Sequence, residues 1–201
     1  MGEVHANHGY NFSNGKAAEI HESTKNQIAM LPKDTMTKML VHQAIEQLNA
    51  VSRAVESLRT EMHHLAQQLP EYPVVMAMGG VGKSLGPQLM AEIGNVTRFA
   101  HKGSLAAYAG VDPGANQSGT REAKSTASSK SGSPELRKTL FMIMSVLLQN
   151  SLANDPVFQF LDKKRAEGKP YYVYMTAGAN KFLRVYYGRV KEYLLSFEAA
   201  D

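Results

Sequence analysis

Between Met36 and Leu69 the chain has neither Gly nor Pro, and apolar residues fall at Val41, Ala44, Leu48, Val51, Val55, Leu58, Met62, Leu65 and Leu69. The steps alternate between three and four without a break. That is the a/d seam of a heptad helix, sustained over about four heptads. One isolated helix cannot bury such a stripe, so the pattern predicts a partner: a second copy of the chain or another part of a larger protein. An amphipathic helix packed on its own domain would give a similar stripe.

Around this helix the pattern is less regular. Residues 1–35 are polar, with scattered Gly, Asn and His, and read as a flexible arm with a short helix near Lys16–Ala29. Pro32 ends that helix, and Lys33-Asp34-Thr35 offers an N-cap for the next. Pro70 and Pro73 close the heptad helix. A short helix is expected over Ser104–Ala109, ended by Gly110, and residues 110–133 form a long polar loop. Ser133 before Pro134 is a good N-cap with Pro at the first helical position, opening an apolar helix to about Leu152. Asp155-Pro156 starts another, to about Ala166. After the turn Gly168-Lys169-Pro170, the last long helix runs from near Tyr174 to about Phe197. Val74–Ala77 and Tyr171–Tyr174 are the segments that could be strands. The chain is expected to be all-α or nearly so, in three parts: the arm 1–35, a coiled-coil helix 36–69 and a compact helical domain 70–198. No internal repeat is visible.

Composition narrows the function classes. With 43% hydrophobic and 20% charged residues, the 201-residue chain can bury a core. Its 11 Met suit irregular helical packing. The absence of Cys excludes disulfides, thiolate zinc sites and a Cys nucleophile, and fits a reducing cytosol. No apolar run approaches the roughly 20 residues of a membrane helix, and the N-terminus lacks the apolar core of a secretory signal. Charge is uneven: residues 1–78 carry 6 Lys/Arg against 8 Asp/Glu, whereas residues 79–201 carry 16 against 10. The C-terminal excess suits a polyanionic partner, and equally suits ordinary solubility.

Ala77-Met78-Gly79-Gly80-Val81-Gly82-Lys83-Ser84 matches a relaxed phosphate-loop pattern, with Ala replacing the first Gly. Gly86 and Pro87 follow at once, a poor start for the long helix that such a loop needs. No later apolar strand ends in a second magnesium ligand, and no alternation of strands and helices suggests a parallel sheet. The competing reading is a helix-hairpin-helix: a helix Pro73–Met78, the turn Gly80-Val81-Gly82, and a helix from about Lys83 to Ile93, ended by Gly94. Amides at the start of its second helix would face a DNA phosphate, with Lys83 and Ser84 adding contacts. A tight turn between core helices would also use these glycines.

The long loop opens with Asn116-Gln117-Ser118-Gly119-Thr120-Arg121. A serine hydroxyl attacking a phosphodiester needs cations around the transition state, or a base. Arg121, Lys124 and Lys130 supply cations, with Arg137 and Lys138 beyond them. Glu122 is near in sequence, but no His or carboxylate is evidently paired with Ser118. On chemistry alone Ser118 is one of many loop serines. His42 and Glu46 lie four apart on a helix, which is no metal site by itself, and the adjacent His63 and His64 face different ways. Tyr171, Tyr172, Tyr174, Tyr186 and Tyr187 could stack on bases or pack in the core. Lys163-Lys164-Arg165 reads as a solvated helix end within reach of phosphate.

Four blocks in order carry a resemblance over about residues 70–195: LPEYPVVMAMGGVGKSLGPQLMAEIGNVTRF, SLAAYAGVDPGANQSG, SPELRKTLF and DPVFQFLDKKRAEGKPYYVYMTAGANKFLRVYY. They resemble the C-terminal domain of the serine-dependent insertion-sequence transposases, whose N-terminal domain is RuvC-like with four acidic residues. Some members of that family are bridge-RNA-guided recombinases. The heptad helix resembles the coiled-coil linker between the two domains. The resemblance implies that Ser118 is the catalytic serine that attacks DNA and forms a covalent phosphoserine link. It implies a helix-hairpin-helix turn at Gly80, Val81 and Gly82. Gln117 belongs to the serine block, Arg137 to a basic helix start near the active site, and Lys181 to the basic position of the last helix. Together with Lys83, Ser84, Arg121, Lys124, Lys130 and Lys138, these are the expected DNA contacts.

Two departures follow. Residues 1–35 are too short for a RuvC-like domain and lack its four acidic residues. The chain therefore reads as a truncated product, a separately encoded half or an excised fragment. No cofactor is expected on it, and magnesium, where used, would be held by the RuvC-like domain. The loop after Ser118, STASSKSGS, is richer in Ser and Ala than the Arg- and Gly-rich loop common in the family. The expected partners are DNA, a guide RNA in members of that kind, and a second copy through residues 36–69, in the bacterial cytoplasm at the nucleoid. The rival readings are a catalytically silent DNA-binding and dimerisation module, and a nucleotide-binding phosphate-loop protein.

Overall fold

The computed structural model describes residues 14–25, 32, 34–112, 117–118, 121–122 and 128–198. The elements are α1 (Asn14–Thr24), α2 (Thr35–Gln67), α3 (Tyr72–Met76), α4 (Leu85–Ile93), a 3-10 turn (Val96–Arg98), α5 (Lys102–Ala109), β1 (Gln117–Ser118), β2 (Arg121–Glu122), α6 (Pro134–Asn150), α7 (Pro156–Ala166) and α8 (Tyr171–Glu198). The fold is all-α. Among the described residues two strands form an antiparallel ladder two residues long. The chain divides into two units, Met1–Leu58 and Arg59–Asp201.

The first unit holds α1 and most of α2. Asp34 caps α2 as its sequence suggests: its Oδ1 accepts the Thr37 backbone N–H at 2.7 Å, which holds the carboxyl below its ordinary range. At 33 residues α2 is about 50 Å long. The seam is left bare, with Leu48 63%, Val51 62% and Leu58 65% exposed. Val41 and Val55 are exposed as well. None of these residues is buried by the described part of the chain.

The second unit is built on α8. Met175, Ala179, Phe182, Leu183, Tyr186 and Val190 recur at helical spacing and are all buried. Against them pack Leu136, Leu140, Ile143, Met144 and Leu147 of α6, Val157 and Leu161 of α7, and Leu105, Ala106 and Ala109 of α5. Each buried aliphatic side chain contributes roughly 1.5–3 kcal/mol. Gly178 lets α8 approach closely: a methyl group there would collide with Leu161 and crowd Met144. The Tyr187 hydroxyl donates to the Phe99 and Ala100 carbonyls at 3.1 and 3.3 Å, tying the strap after the 3-10 turn to α8. Burial, with a smaller push from Glu71, raises the Tyr186 phenol far above its usual range, so it stays neutral.

The caps at Ser133 and Asp155 form as expected. Ser133 Oγ accepts the Leu136 N–H at 3.1 Å, and Asp155 Oδ1 accepts those of Val157 and Phe158 at 2.8 and 2.9 Å. Both candidate strands are helical instead. Val74–Ala77 falls in α3 and its C-cap, because Pro73 sits in the first turn with its φ already set for a helix. Tyr171–Tyr174 forms the first turn of α8, because the Pro170 carbonyl accepts the Val173 and Tyr174 N–H groups at 2.9 and 3.2 Å. Beta propensity in Val and Tyr gives way to these proline starts.

The turn between α3 and α4 is fixed by contact with α6. Gly80 has φ +75°, and a Cβ there would lie 2.8 Å from the Ile143 carbonyl oxygen. Gly188, halfway along α8, has open space around it. Gly80→Ala should therefore destabilise the chain by about 1–3 kcal/mol or more. Gly188→Ala should stabilise it by about 0.5–1 kcal/mol through helix propensity. Urea unfolding of the two variants beside the parent chain checks both signs.

Candidate functional site

Two groups of the residues singled out above are brought together, at different places on the second unit. The first lies at the α3–α4 turn. Gly80 turns in the left-handed region that favours glycine, while Gly82, Lys83 and Ser84 are exposed. Lys83 and Ser84 precede the first residue of α4, where the Gly86 N–H donates to the Gly82 carbonyl at 2.8 Å and Pro87 has no N–H, so few amides of that helix start are left free. Leu85 shares a groove of about 380 Å³ with Lys138, Phe141, Met142 and Ser145 of α6. Lys138, distant in sequence, therefore stands near the start of α4. Lys83 and Lys138 have no ion pair among the described residues.

The packing around this turn also explains its glycines. A Cβ on Gly79 would strike the Asp155 carboxylate, and one on Gly86 would lie 2.5 Å from Met76 Sδ. Gly79 and Gly80 thus let the turn sit on α6 and the start of α7, and Gly86 lets α4 close on α3. Among the described residues there is no parallel sheet behind the turn, and Val74–Met76 is helix. The phosphate-loop resemblance is accounted for by helix packing.

The second group surrounds the root of the loop bearing Ser118. The root is clasped: Ser129 Oγ donates to Asp112 Oδ1 at 2.6 Å, and the Ser129 N–H to the Asp112 carbonyl at 3.1 Å. Gly110, at φ +64°, ends α5 and packs against the backbone of Lys130 and Gly132. Arg137 Nη1 donates to the Ala109 carbonyl at 3.0 Å, so its guanidinium serves the orphan carbonyls of α5. Lys130 is exposed with φ +52°, and its N–H reaches the Gly110 carbonyl at 3.3 Å. Within the loop, β1 and β2 pair Gln117 with Glu122 and Ser118 with Arg121. That register sets a cationic residue opposite the serine. Lys124 lies outside the described residues.

Lys181 is half-buried on α8. Immediately before it and about one turn after it on that helix are two residues not singled out in the sequence, Asn180 and Arg184. Asn180 Nδ2 donates to the Val111 carbonyl at 3.2 Å, and Arg184 is exposed beside it. Both line a groove at the loop root. No motif marks them; only the fold sets them beside residue 111.

The other candidates resolve into packing and solvated pairs. Tyr186 and Tyr187 are core residues. Tyr171 and Tyr172 are exposed and meet edge to face, with ring centres 5.2 Å apart. Arg165 pairs with Asp162, and Lys164 with Glu167, whose carboxyl is lowered by that bond. His42 and Glu46 lie 3.7 Å apart, both exposed. Among the described residues no three His, Asp or Glu converge as metal ligands, and no helix is long and apolar enough to cross a membrane.

Comparison with known proteins bears on the same region. The pilin gene-inverting protein of Moraxella bovis is 32% identical over 133 residues, which is 66% of this chain and 38% of that protein. Its counterpart in Moraxella lacunata is 31% identical over 133 residues, with the same coverage. The 44.8 kDa insertion element IS116 protein of Streptomyces clavuligerus is 27% identical over 105 residues, 52% of this chain and 26% of that protein. The match thus spans well under half the length of these relatives. Residues 72–157 match the family described as Transposase IS116/IS110/IS902. That similarity runs from the first residue of α3 to the second of α7.

Proposed function

We propose that the chain is the DNA-handling C-terminal part of a transposase or recombinase, with Ser118 as the nucleophile of strand cleavage and transfer. One observation carries the reading: the family match includes, in a single stretch, the α3–α4 turn, the Ser118 segment and the basic start of α6. Relatives named for inverting a pilin gene and for an insertion element support the rearrangement of DNA as the process.

In this reading the Ser118 hydroxyl attacks a backbone phosphorus. The new O–P bond forms as the bridging bond to the departing sugar breaks. The serine proton is lost, and the departing oxygen gains one. Attack by a sugar hydroxyl of another strand reverses the step and frees the serine. The energy of the phosphodiester is thus kept in the covalent link. Arg121, opposite Ser118 in the ladder, and Lys130 at the loop root would offset the extra negative charge of the transition state. The α3–α4 turn acts as a helix-hairpin-helix, with Lys83, Ser84 and Lys138 on phosphates. The bare seam of α2 joins a second copy. A RuvC-like domain elsewhere in the assembly supplies the four acidic residues and any magnesium, and a guide RNA belongs to members that use one.

The decisive experiment mixes the 201-residue chain with a RuvC-like partner protein and labelled DNA, then resolves covalent adducts on a denaturing gel. Ser118→Ala should abolish the adduct, by at least about a hundredfold, while leaving DNA binding intact. An adduct of equal yield from that variant would remove Ser118 from the role. Binding without any adduct from the parent chain would favour the silent module.

Two further outcomes are expected. Log affinity for duplex DNA should fall linearly with log salt, and Lys83→Glu should lower affinity and flatten that slope by about one phosphate contact. A flat response in the parent chain would argue against DNA as the partner. Light scattering should give a dimer for the parent chain and a monomer for Leu48→Asp/Leu58→Asp, since charges on a seam cannot be buried unpaired.

A further inference from the structure

The groove at the loop root has a volume of about 350 Å³. Among the described residues its walls are Val111 and Ser128, on either side of the segment bearing Ser118, with Phe160 of α7 and Thr176, Ala177, Asn180 and Arg184 of α8. Thr176, Asn180 and Arg184 recur every four positions, so they form one row along the helix, with Ala177 beside it. Its chemistry is divided. Phe160 offers an aromatic ring that is only half-buried. Arg184 is an exposed cation with no hydrogen bond or ion pair to any described residue. Asn180 spends one amide proton on the Val111 carbonyl, and its oxygen has no hydrogen bond among the described residues. Lys164 Nζ stands 5.9 Å from the Phe160 ring centre, with its charge paired to Glu167.

An aromatic ring, a polar amide and a free guanidinium around a cavity of this size match the three parts of a nucleotide. The ring suits a base, the amide a base edge or sugar, and the guanidinium a phosphate. The volume falls in the range that holds small ligands. A base paired in a duplex cannot present its face to a ring, so the occupant must be unstacked.

We propose that this groove holds one unstacked nucleotide of a DNA strand, its base on Phe160 and its phosphate on Arg184, and so sets the strand relative to the Ser118 loop. The inference rests on the reading of the chain as a DNA-handling protein and adds to it a single-strand subsite. Arg184 and Phe160 are positioning residues; the bond-making group remains Ser118. Asn180 links the subsite to the loop, because its hydrogen bond to Val111 fixes the point from which the loop departs.

The test is fluorescence anisotropy with a labelled single-stranded oligonucleotide and with the matching duplex, across a range of salt, using the full 201-residue chain. Arg184→Ala should weaken single-strand binding about five- to tenfold and lower the magnitude of the log–log salt slope by about 0.7. Phe160→Ala should weaken it about tenfold with the slope unchanged, because stacking releases no counterions. Duplex affinity should change less than about twofold in both. Phe160→Leu, which keeps apolar bulk but not the aromatic face, should behave as Phe160→Ala and is read where Ala unfolds the chain. Lys38→Ala, an exposed cation on α2, is the control. Single-strand binding by Arg184→Ala and Phe160→Leu equal to that control would overturn the subsite and leave the DNA reading standing. Failure of the parent chain to bind either probe would overturn both.

Discussion

The second unit depends on how closely α8 can lie against its neighbours. At Gly178 no side chain separates it from Leu161 and Met144, so α7 and α6 approach to packing distance. That contact sets the depth at which Phe182, Leu183 and Tyr186 are buried. It also sets the height at which Asn180 and Arg184 meet the end of α5. A bulkier residue at 178 would lift α8 and shear the core and the loop root together. Packed helical cores shift as units, because interiors near crystal density do not deform gradually. The geometry of the loop root is therefore inherited from helix packing rather than from the loop.

The glycines of the α3–α4 turn illustrate the same point from the opposite direction. In the sequence they look like a cradle for phosphate. In the fold, Gly79 and Gly80 face α6 and Asp155, and Gly86 faces Met76. Close approach between helices selects the same residue as close approach to a ligand, because both demand a missing Cβ. Gly82, with open space around it, is the member of the group that internal packing does not require.

The legible parts of the fold were those encoded locally. Caps at Asp34, Ser133 and Asp155, the heptad run of α2 and the stop at Gly110 each depend on residues within a few positions of one another. Errors arose where a local signal was ambiguous. Val74-Val75 and the tyrosines after Pro170 favour strands by composition, but a proline in or just before the first turn commits both to helix. Hidden altogether were contacts of long sequence separation. Arg137 serves the end of α5 twenty-eight residues away, and Asn180 reaches Val111 across sixty-nine. Motif reading found Lys181 on α8 and passed over Arg184, since exposure and the company of Phe160 are properties of the fold. The sequence marks Ser118 by its block and Arg121 by its charge, and their pairing across the ladder is what the fold adds.

The clasp between Asp112 and Ser129 has a bearing on how this domain can diversify. Once both ends of a segment are held, the entropy of closing it grows only as the logarithm of its length, and doubling the segment costs about 0.6 kcal/mol. Residues can then be added or exchanged between the two anchors with little penalty to the helices beneath. Chemistry at the tip and stability of the base are thereby placed under separate selection.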